Sequence, residues 1–447
     1  MPGPSVPRSP FPSRVGVPLI DRRSLLKGFA GVAGLAAAAP LLAACGGGSG
    51  SGGSSSNVVT LGSNGSDPVP KKAYQAVMNA FQKSSGLNVK MNIVDHQAFQ
   101  QNINSYLQGT PDDVFMWFAG YRMQFFANKG LLHPIDDVWQ NIGGNFTDAV
   151  KNLSKNPTDG HYYFVPIYEY PWGVYYRKSL FAEKGYQIPS TFDELITLCG
   201  KMQTDGITPF MQGFGGGESW MLLGTFDYLN MRTNGYQFHI DLMHGKNSWT
   251  DPKVKAVMDN WKRMLPFYQP GASGRKWEDS VSALINKTAG MCVIGMFVGQ
   301  GFTNKADYDD LDFFAFPEVD PQWGTGAVEA PMDGFLVSKN PKNLDGATKL
   351  MEFLGTAQAE DAYLAIDASN VAVNNKADTS GYNALEKKAV EFIAQAKDLS
   401  QFGDRDSDPG FMQNVVEPAF AQFVQSPTSS DSLLSQIQSQ KSQYFQS

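Results

Sequence analysis

From Asn57 onward the chain alternates between two hydrophobic periods. Val58 to Leu61 and Leu87 to Val94 read as strands, and Val114 to Phe118 as a continuous apolar strand buried on both faces. Between them, Pro70 to Lys83 and Ala98 to Leu107 carry apolar residues at helical spacing. A strand over Gly173 to Arg177 follows, then a helix from Thr191 whose Phe192, Leu195, Ile196, Leu198 and Cys199 share one face. Thr191 is placed to cap it, and Glu194 three residues on completes a capping box. Further on come helices over Lys253 to Met264 and Ser280 to Asn286, and strands over Gly290 to Met296 and Phe335 to Ser338. Beyond these the chain turns mostly helical. Alternation of this kind predicts an α/β sheet with helices on its faces. No period of 20 to 50 residues recurs, which excludes a solenoid or propeller.

Upstream the pattern changes character. Arg22 and Arg23 precede Ser24-Leu25-Leu26-Lys27, a weakly apolar run from Gly28 to Leu42 follows, and Leu42-Ala43-Ala44-Cys45 ends it. This is the layout of an export signal over residues 1–44, with a lipobox that makes Cys45 the lipidated first residue of the mature chain. The paired arginines resemble the twin-arginine type, with Leu25 where Phe is more usual. As a membrane span the run is too short, since it has 15 residues where about 20 are needed, and three glycines dilute it. Gly46 to Ser56 holds almost nothing but Gly and Ser, so residues 45–56 read as a lipidated flexible tether.

Charge and cysteine usage narrow the function. Five basic residues and one acid leave with the signal, so the formal charge of −7 becomes −11. An acidic chain with no Lys/Arg run is a poor partner for nucleic acid. Only Cys199 and Cys292 remain, with no metal-type spacing, and both are expected in the core as small apolar residues. Whether they pair does not follow from their spacing. The five histidines show no metal spacing and are read as surface residues.

Several segments in order carry a family signal: TPDDVFMW from Thr110, ANKGLLHPIDD from Ala127, YYFVPIYEYPWGVYYRKSLFAEKG from Tyr162, PSTFDELITLCGKM from Pro189, DPKVKAVMDNWKRM from Asp251 and NKTAGMCVIGM from Asn286. Together they resemble the extracellular solute-binding proteins of carbohydrate ABC transporters, across most of residues 57–375. The resemblance implies a two-lobed, periplasmic-binding-protein-like α/β fold of type II, with discontinuous lobes and a ligand cleft at the hinge. Crossovers are expected near Ile167 to Pro171, just before Asp333, and near Ser369 to Asn374. The lobes would then be 57–168 with 333–370, and 169–332 with 371–447. The implied protein is a monomer on the outer face of the cell membrane, which captures a sugar or oligosaccharide and presents it to permease subunits. No cofactor is expected.

Sugars present a ring of hydroxyls and a C–H face, so a binding cleft needs planar hydrogen-bonding groups and aromatic rings together. Ligands of α/β sheets sit beyond the carboxyl ends of strands, which selects the loops that follow them. Those loops offer Asn64 and Asp67, then Tyr121 and Arg122. The hinge offers Tyr168, Glu169 and Trp172. Trp220, after the glycine-rich Gly213 to Gly217, is the leading stacking platform, and those glycines would let the backbone approach a ligand. Phe297 and Gln300 follow a buried strand, and Asp333 opens another. Asp404-Arg405-Asp406-Ser407-Asp408 begins like a calcium loop but has Pro409 and Val415 where Gly and Glu belong. It reads either as a solvated acidic loop or as a cleft-lining one that contributes Arg405.

Two rival readings stay in play. Glu169, Glu218 and Asp333 could serve an exported glycosidase if two of them paired at roughly 5 to 10 Å, although the usual hydrolase signatures are absent. The same receptor could instead take a glycerophosphodiester, a peptide or another solute. The lipidation reading has a direct check: Cys45→Ala should move the protein from the membrane fraction into the medium, and continued membrane retention would refute it.

Overall fold

The computed structural model describes residues 57–427 and 430–445. The expected signal peptide, Cys45 and tether lie outside the described residues. Within them the chain builds two main sheets. The first contains β1 (Val58–Ser63), β2 (Asn88–Ile93), β3 (Val114–Phe118), β4 (Phe164–Glu169) and β10 (Met332–Val337), in the order β2-β1-β3-β10-β4. The second contains β5 (Trp172–Arg177), β6 (Thr208–Phe210), β7 (Ala289–Gly295) and β8 (Leu311–Phe314), in the order β6-β7-β5-β8. A small parallel pair joins β9 (Ala327–Glu329) to β11 (Asp398–Ser400).

Local chemistry explains these elements. In the first sheet, β1 runs parallel to both β2 and β3, which requires crossover helices. They are α1 (Pro68–Ser85) and α2 (His96–Gln108). α1 buries Ala73, Tyr74, Val77, Met78 and Phe81 and stops at Gly86, whose φ of 75° suits glycine. α2 begins where the Asp95 carboxylate accepts from Ala98 N. The expected capping box is present at the helix Phe192–Thr204, with Thr191 and Glu194 each accepting a backbone N–H of the other. In the second sheet, Arg177 donates to Asp310, to Asp307 and to the Ile285 carbonyl, tying β5 to the segments around it.

Element ends differ modestly from expectation. β1 runs two residues further, to Ser63, and the helix expected from Ser280 starts at Trp277. The short β11 was not anticipated within the helical closing portion, because three residues carry no readable period. Cys199 and Cys292 are buried free thiols, and burial pushes the Cys199 thiol up to about 12. One expectation is corrected: His239 is not a surface residue but fully buried, on the helix Tyr236–Met243 beside Asn230.

The two sheets meet closely at one point in the chain. β4 ends at Glu169 and β5 begins at Trp172, so only Tyr170 and Pro171 link them. β10 enters the first sheet between β3 and β4, antiparallel to both. Its register against β4 shifts between Asp333 and Gly334, so Asp333 faces Tyr168 while Gly334 faces Pro166. A Cβ at Gly334 would lie 2.2 Å from the Val165 carbonyl oxygen, so this close approach needs glycine. The irregularity turns Tyr168 and Asp333 toward the same space.

Candidate ligand-binding site

That space is a cavity of about 100 Å³ lined from both sheets. One water-sized site takes roughly 10 to 15 Å³, so the room is for one small ring and its substituents, not for a long chain. The two walls differ in chemistry. Residues after β1, from the start of α2 and from β4 and β10 make the polar one, with Asn64, Asp67, Tyr74, His96, Gln100, Tyr168 and Asp333. Trp172, Trp220, Trp277, Phe297 and Phe402 give the other its aromatic surface, with Gln300 beside Phe297.

The aromatic wall is a packed cluster. Trp172 stacks on Phe402 with centroids 4.5 Å apart, Trp277 meets Phe297 edge-on at 5.0 Å, and Trp220 stands 6.4 Å from Trp172. Phe402 holds φ at 98°, a conformation that costs a non-glycine residue about 1 to 3 kcal/mol and that its stacking on Trp172 helps to offset.

Asp333 organises the polar wall. Its Oδ1 accepts from Arg405 Nη1 at 2.5 Å and its Oδ2 from the Tyr168 hydroxyl at 2.9 Å. Arg405 also donates to the Tyr170 hydroxyl at 2.9 Å and lies 3.9 Å over the Phe118 ring. A second chain runs behind it. Arg122 donates to Gln100 Oε1 at 2.6 Å, which leaves the Gln100 amide nitrogen to donate to His96 Nε2 at 2.8 Å. His96 Nε2 is therefore the acceptor, and the ring is neutral with its proton on Nδ1. Burial lowers the His96 pKa, in keeping with that state.

Of the residues proposed from sequence, Asn64, Asp67, Tyr168, Trp172, Trp220, Phe297, Gln300, Asp333 and Arg405 are brought together around the cavity. Asp67 is also the N-cap residue of α1, but its side chain makes no capping bond there. Three others stand elsewhere. Glu169 follows Tyr168 on β4, and the strand's two-residue period sends it to the opposite face. Tyr121 packs against His244 at 5.3 Å. Arg122 is buried beneath the wall, 5.2 Å from both the Trp117 and Phe118 rings, and its backbone N–H donates to the Arg405 carbonyl.

Two loop readings also change. Gly213 and Gly215 bring backbone against protein, since a Cβ at either would meet the carbonyl oxygens of Lys276 or Ser273 within 2.7 Å. Glu218 is spent there too, accepting from Trp277 N at 3.0 Å. The Asp404 to Asp408 loop is buried and not solvated. Its acids accept internal donors: Asp406 takes Ser400 Oγ and Gln401 N, and Asp408 takes Phe411 N. Sequence reasoning missed Tyr74, His96, Gln100, Trp277, Asn370 and Phe402, although His96 and Trp277 open their helices, where cavity residues of an α/β sheet are to be sought. Among the described residues, no group of His, Cys, Asp and Glu could hold a metal ion.

Residues 65–361 match the family model of the bacterial extracellular solute-binding protein. The chain belongs to this family. This solute-binding protein is similar to a solved structure of the bacterial solute receptor AcbH, described as having an exclusive substrate preference for β-D-galactopyranose. The two are 45% identical with a TM-score of 0.84, over 87% of this chain and 99% of the other. It is 24% identical over 337 residues to an uncharacterised ABC transporter extracellular-binding protein of Pyrococcus horikoshii, covering 73% of this chain and 74% of that one. It is also 24% identical over 313 residues to the alpha-glucosides-binding periplasmic protein AglE of Rhizobium meliloti, covering 65% and 67%. The fold is accordingly the two-lobed one of this family, and the protein is a receptor, not an enzyme.

Buried ionisable groups give this receptor a characteristic response to pH. Burial pushes the Glu417 carboxyl up to about 8 and also raises that of Asp227, which is buried against Glu329, from roughly 4 in an unfolded chain. Their contribution to stability is fully present below the unfolded value and is lost as pH rises through the folded one, about 8 for Glu417. His239, lowered to about 3 by burial, acts with the opposite sign, and its contribution is complete above the unfolded value of about 6.5. Between pH 6.5 and 8 the carboxyls therefore set the slope. The Tm of the ligand-free protein should fall across that window, and more gently in Glu417→Gln; a Tm that rises or stays level would contradict the assignment.

Proposed function

We propose that the protein captures one galactopyranose-type sugar outside the cell and delivers it to an ABC importer. The observation that carries this reading is the 45% identity, spread over 87% of the chain, to a receptor for β-D-galactopyranose. The cavity supports it by size and by chemistry: about 100 Å³ suits a single ring, with an aromatic wall for the C–H face and a polar wall for the hydroxyls. Phosphodiester cargo is disfavoured because the one cavity-lining arginine among the described residues, Arg405, is already committed to Asp333.

In this reading the lobes are 57–168 with 333–370, and 169–332 with 371–447. A sugar touching both walls makes its full set of contacts only when they close, so binding biases an open–closed equilibrium by that difference. Recognition falls to Asn64, Asp67, Tyr168, Trp172, Trp220, Phe297, Gln300, Asp333 and Arg405. The permease reads the closed form. Lipidation at Cys45 after twin-arginine export, with the Gly/Ser segment as tether, keeps the monomeric receptor beside the permease on the outer membrane face.

A thermal-shift screen tests the cargo. At 100 times its Kd, a specific ligand adds about 2.7 kcal/mol of stability, so D-galactose should raise the Tm clearly while glycerophosphodiesters and peptides leave it unchanged. Trp220→Ala should retain the fold and weaken galactose binding by more than about tenfold, through loss of a stacking surface. Stabilisation by a peptide or phosphodiester in place of sugars would overturn the reading.

A further inference from the structure

Asp367 lies behind the cavity wall, in the segment after the helix Ala357–Leu364, and is 1% exposed. Five donors converge on its carboxylate. Oδ2 accepts from Gln300 Nε2 at 2.9 Å, from Asn370 Nδ2 at 2.9 Å and from the Tyr363 hydroxyl at 3.3 Å. Oδ1 accepts from the Ser369 backbone N–H at 3.1 Å and from its hydroxyl. Gln300 and Asn370 both line the cavity, while Asp367 does not. They arrive from different places: Gln300 from the turn Met296–Gly301 that follows β7, and Asn370 from the segment that next pairs Val371 with Glu169 of β4.

A primary amide has a donor end and an acceptor end, so fixing one fixes the other. A carboxylate only accepts, and here it holds the NH2 group of each amide. The oxygen ends, Gln300 Oε1 and Asn370 Oδ1, are left for the cavity. We propose that Asp367 is a positioning residue for ligand capture, locking two amides carbonyl-outward so that this part of the cavity accepts hydrogen bonds from ligand hydroxyls. The ligand half of the proposal rests on the sugar reading, and the amide orientation does not. Asp367→Asn keeps shape and volume but turns Oδ2 into a donor when its oxygen stays with Ser369. Both amides must then turn to offer it oxygen, and the cavity gains N–H groups where it had acceptors.

Two measurements decide this. In the ligand-free wild-type protein, the side-chain amide protons of Gln300 and Asn370, assigned by NMR through their loss in Gln300→Glu and Asn370→Asp, should exchange at least about tenfold more slowly than exposed primary amides, and Asp367→Asn should abolish that protection. Wild-type exchange as fast as that of exposed amides overturns the proposal, whatever the ligand and even if the variant does not fold. The second measurement compares galactose with its deoxyfluoro analogues, in which fluorine replaces one hydroxyl and cannot donate. The wild type should disfavour at least one analogue by about tenfold or more, and Asp367→Asn should reduce that discrimination below about threefold. A merely structural role would lower the Tm and leave the discrimination pattern intact, which overturns positioning while the sugar reading stands. If no sugar binds the wild type, the sugar reading fails and the exchange rates alone decide the orientation.

Discussion

The cavity depends on one buried ion pair, Arg405 with Asp333. Asp333 belongs to β10, an interior strand of the first sheet, whereas Arg405 comes from a loop beyond β11, 72 positions further along the chain. Arg405 is 7% exposed. Burying a guanidinium and a carboxylate costs several kcal/mol per ion unless geometry and additional hydrogen bonds offset it. Here the Tyr168 and Tyr170 hydroxyls supply the hydrogen bonds, and the face of Phe118 adds a cation–π contact to Arg405. Removing either partner would strand the other charge in the cavity wall, so the pair fixes where the closing loop must sit.

The rest of the polar wall inherits its order from that pair. On one side the chain continues from Tyr168 to the Tyr74 hydroxyl at 3.1 Å. On the other, Asp404 next to Arg405 lies 3.5 Å from Arg122, which holds Gln100, which in turn holds His96. Connected networks of this kind rigidify what they join to the extent that their members are satisfied; here Arg122 Nε and Asp404 Oδ1 stay buried without a hydrogen-bond partner. The aromatic wall needs no such network. Trp172, Trp220, Trp277, Phe297 and Phe402 hold one another by packing, and Phe402 comes from the same loop as Arg405. That loop therefore serves both walls, delivering a charge to one and a ring to the other.

Much of this was legible from sequence, for a physical reason. Strand ends in an α/β sheet converge on one place, so the loops after β1 and β7 pointed to Asn64 and Phe297 without any structure, while Tyr168 came from the hinge that the family resemblance implied. The same rule misplaced Arg122. A loop residue that lines a cavity and one that supports the lining are of the same chemical type, and only the depth of Phe118 and the Asp404 to Asp408 loop above it separates them. Glu169 was misplaced by a single step of the two-residue strand period. The acidic stretch from Asp404 to Asp408 looked solvated because two groups that pack on it come from far along the chain: the Met243 carbonyl, which accepts from the Ser407 hydroxyl, and Arg122, 3.5 Å from Asp404. Burial of a polar segment by distant partners leaves no local pattern to read.

Two departures from local regularity lie at the cavity. Gly334 sits at the register shift that turns Asp333 inward, and Phe402 takes a positive φ that presents its ring to Trp172. Each costs something locally: the positive φ of Phe402 about 1 to 3 kcal/mol, and the register shift the pairing of Ile167 with β10. A register shift or a left-handed phenylalanine persists only if the surrounding contacts over-determine it, as the ion pair and the stacked rings do. The irregularities and the buried network thus explain each other: the network makes the strained positions tolerable, and the strained positions aim the groups that the network holds.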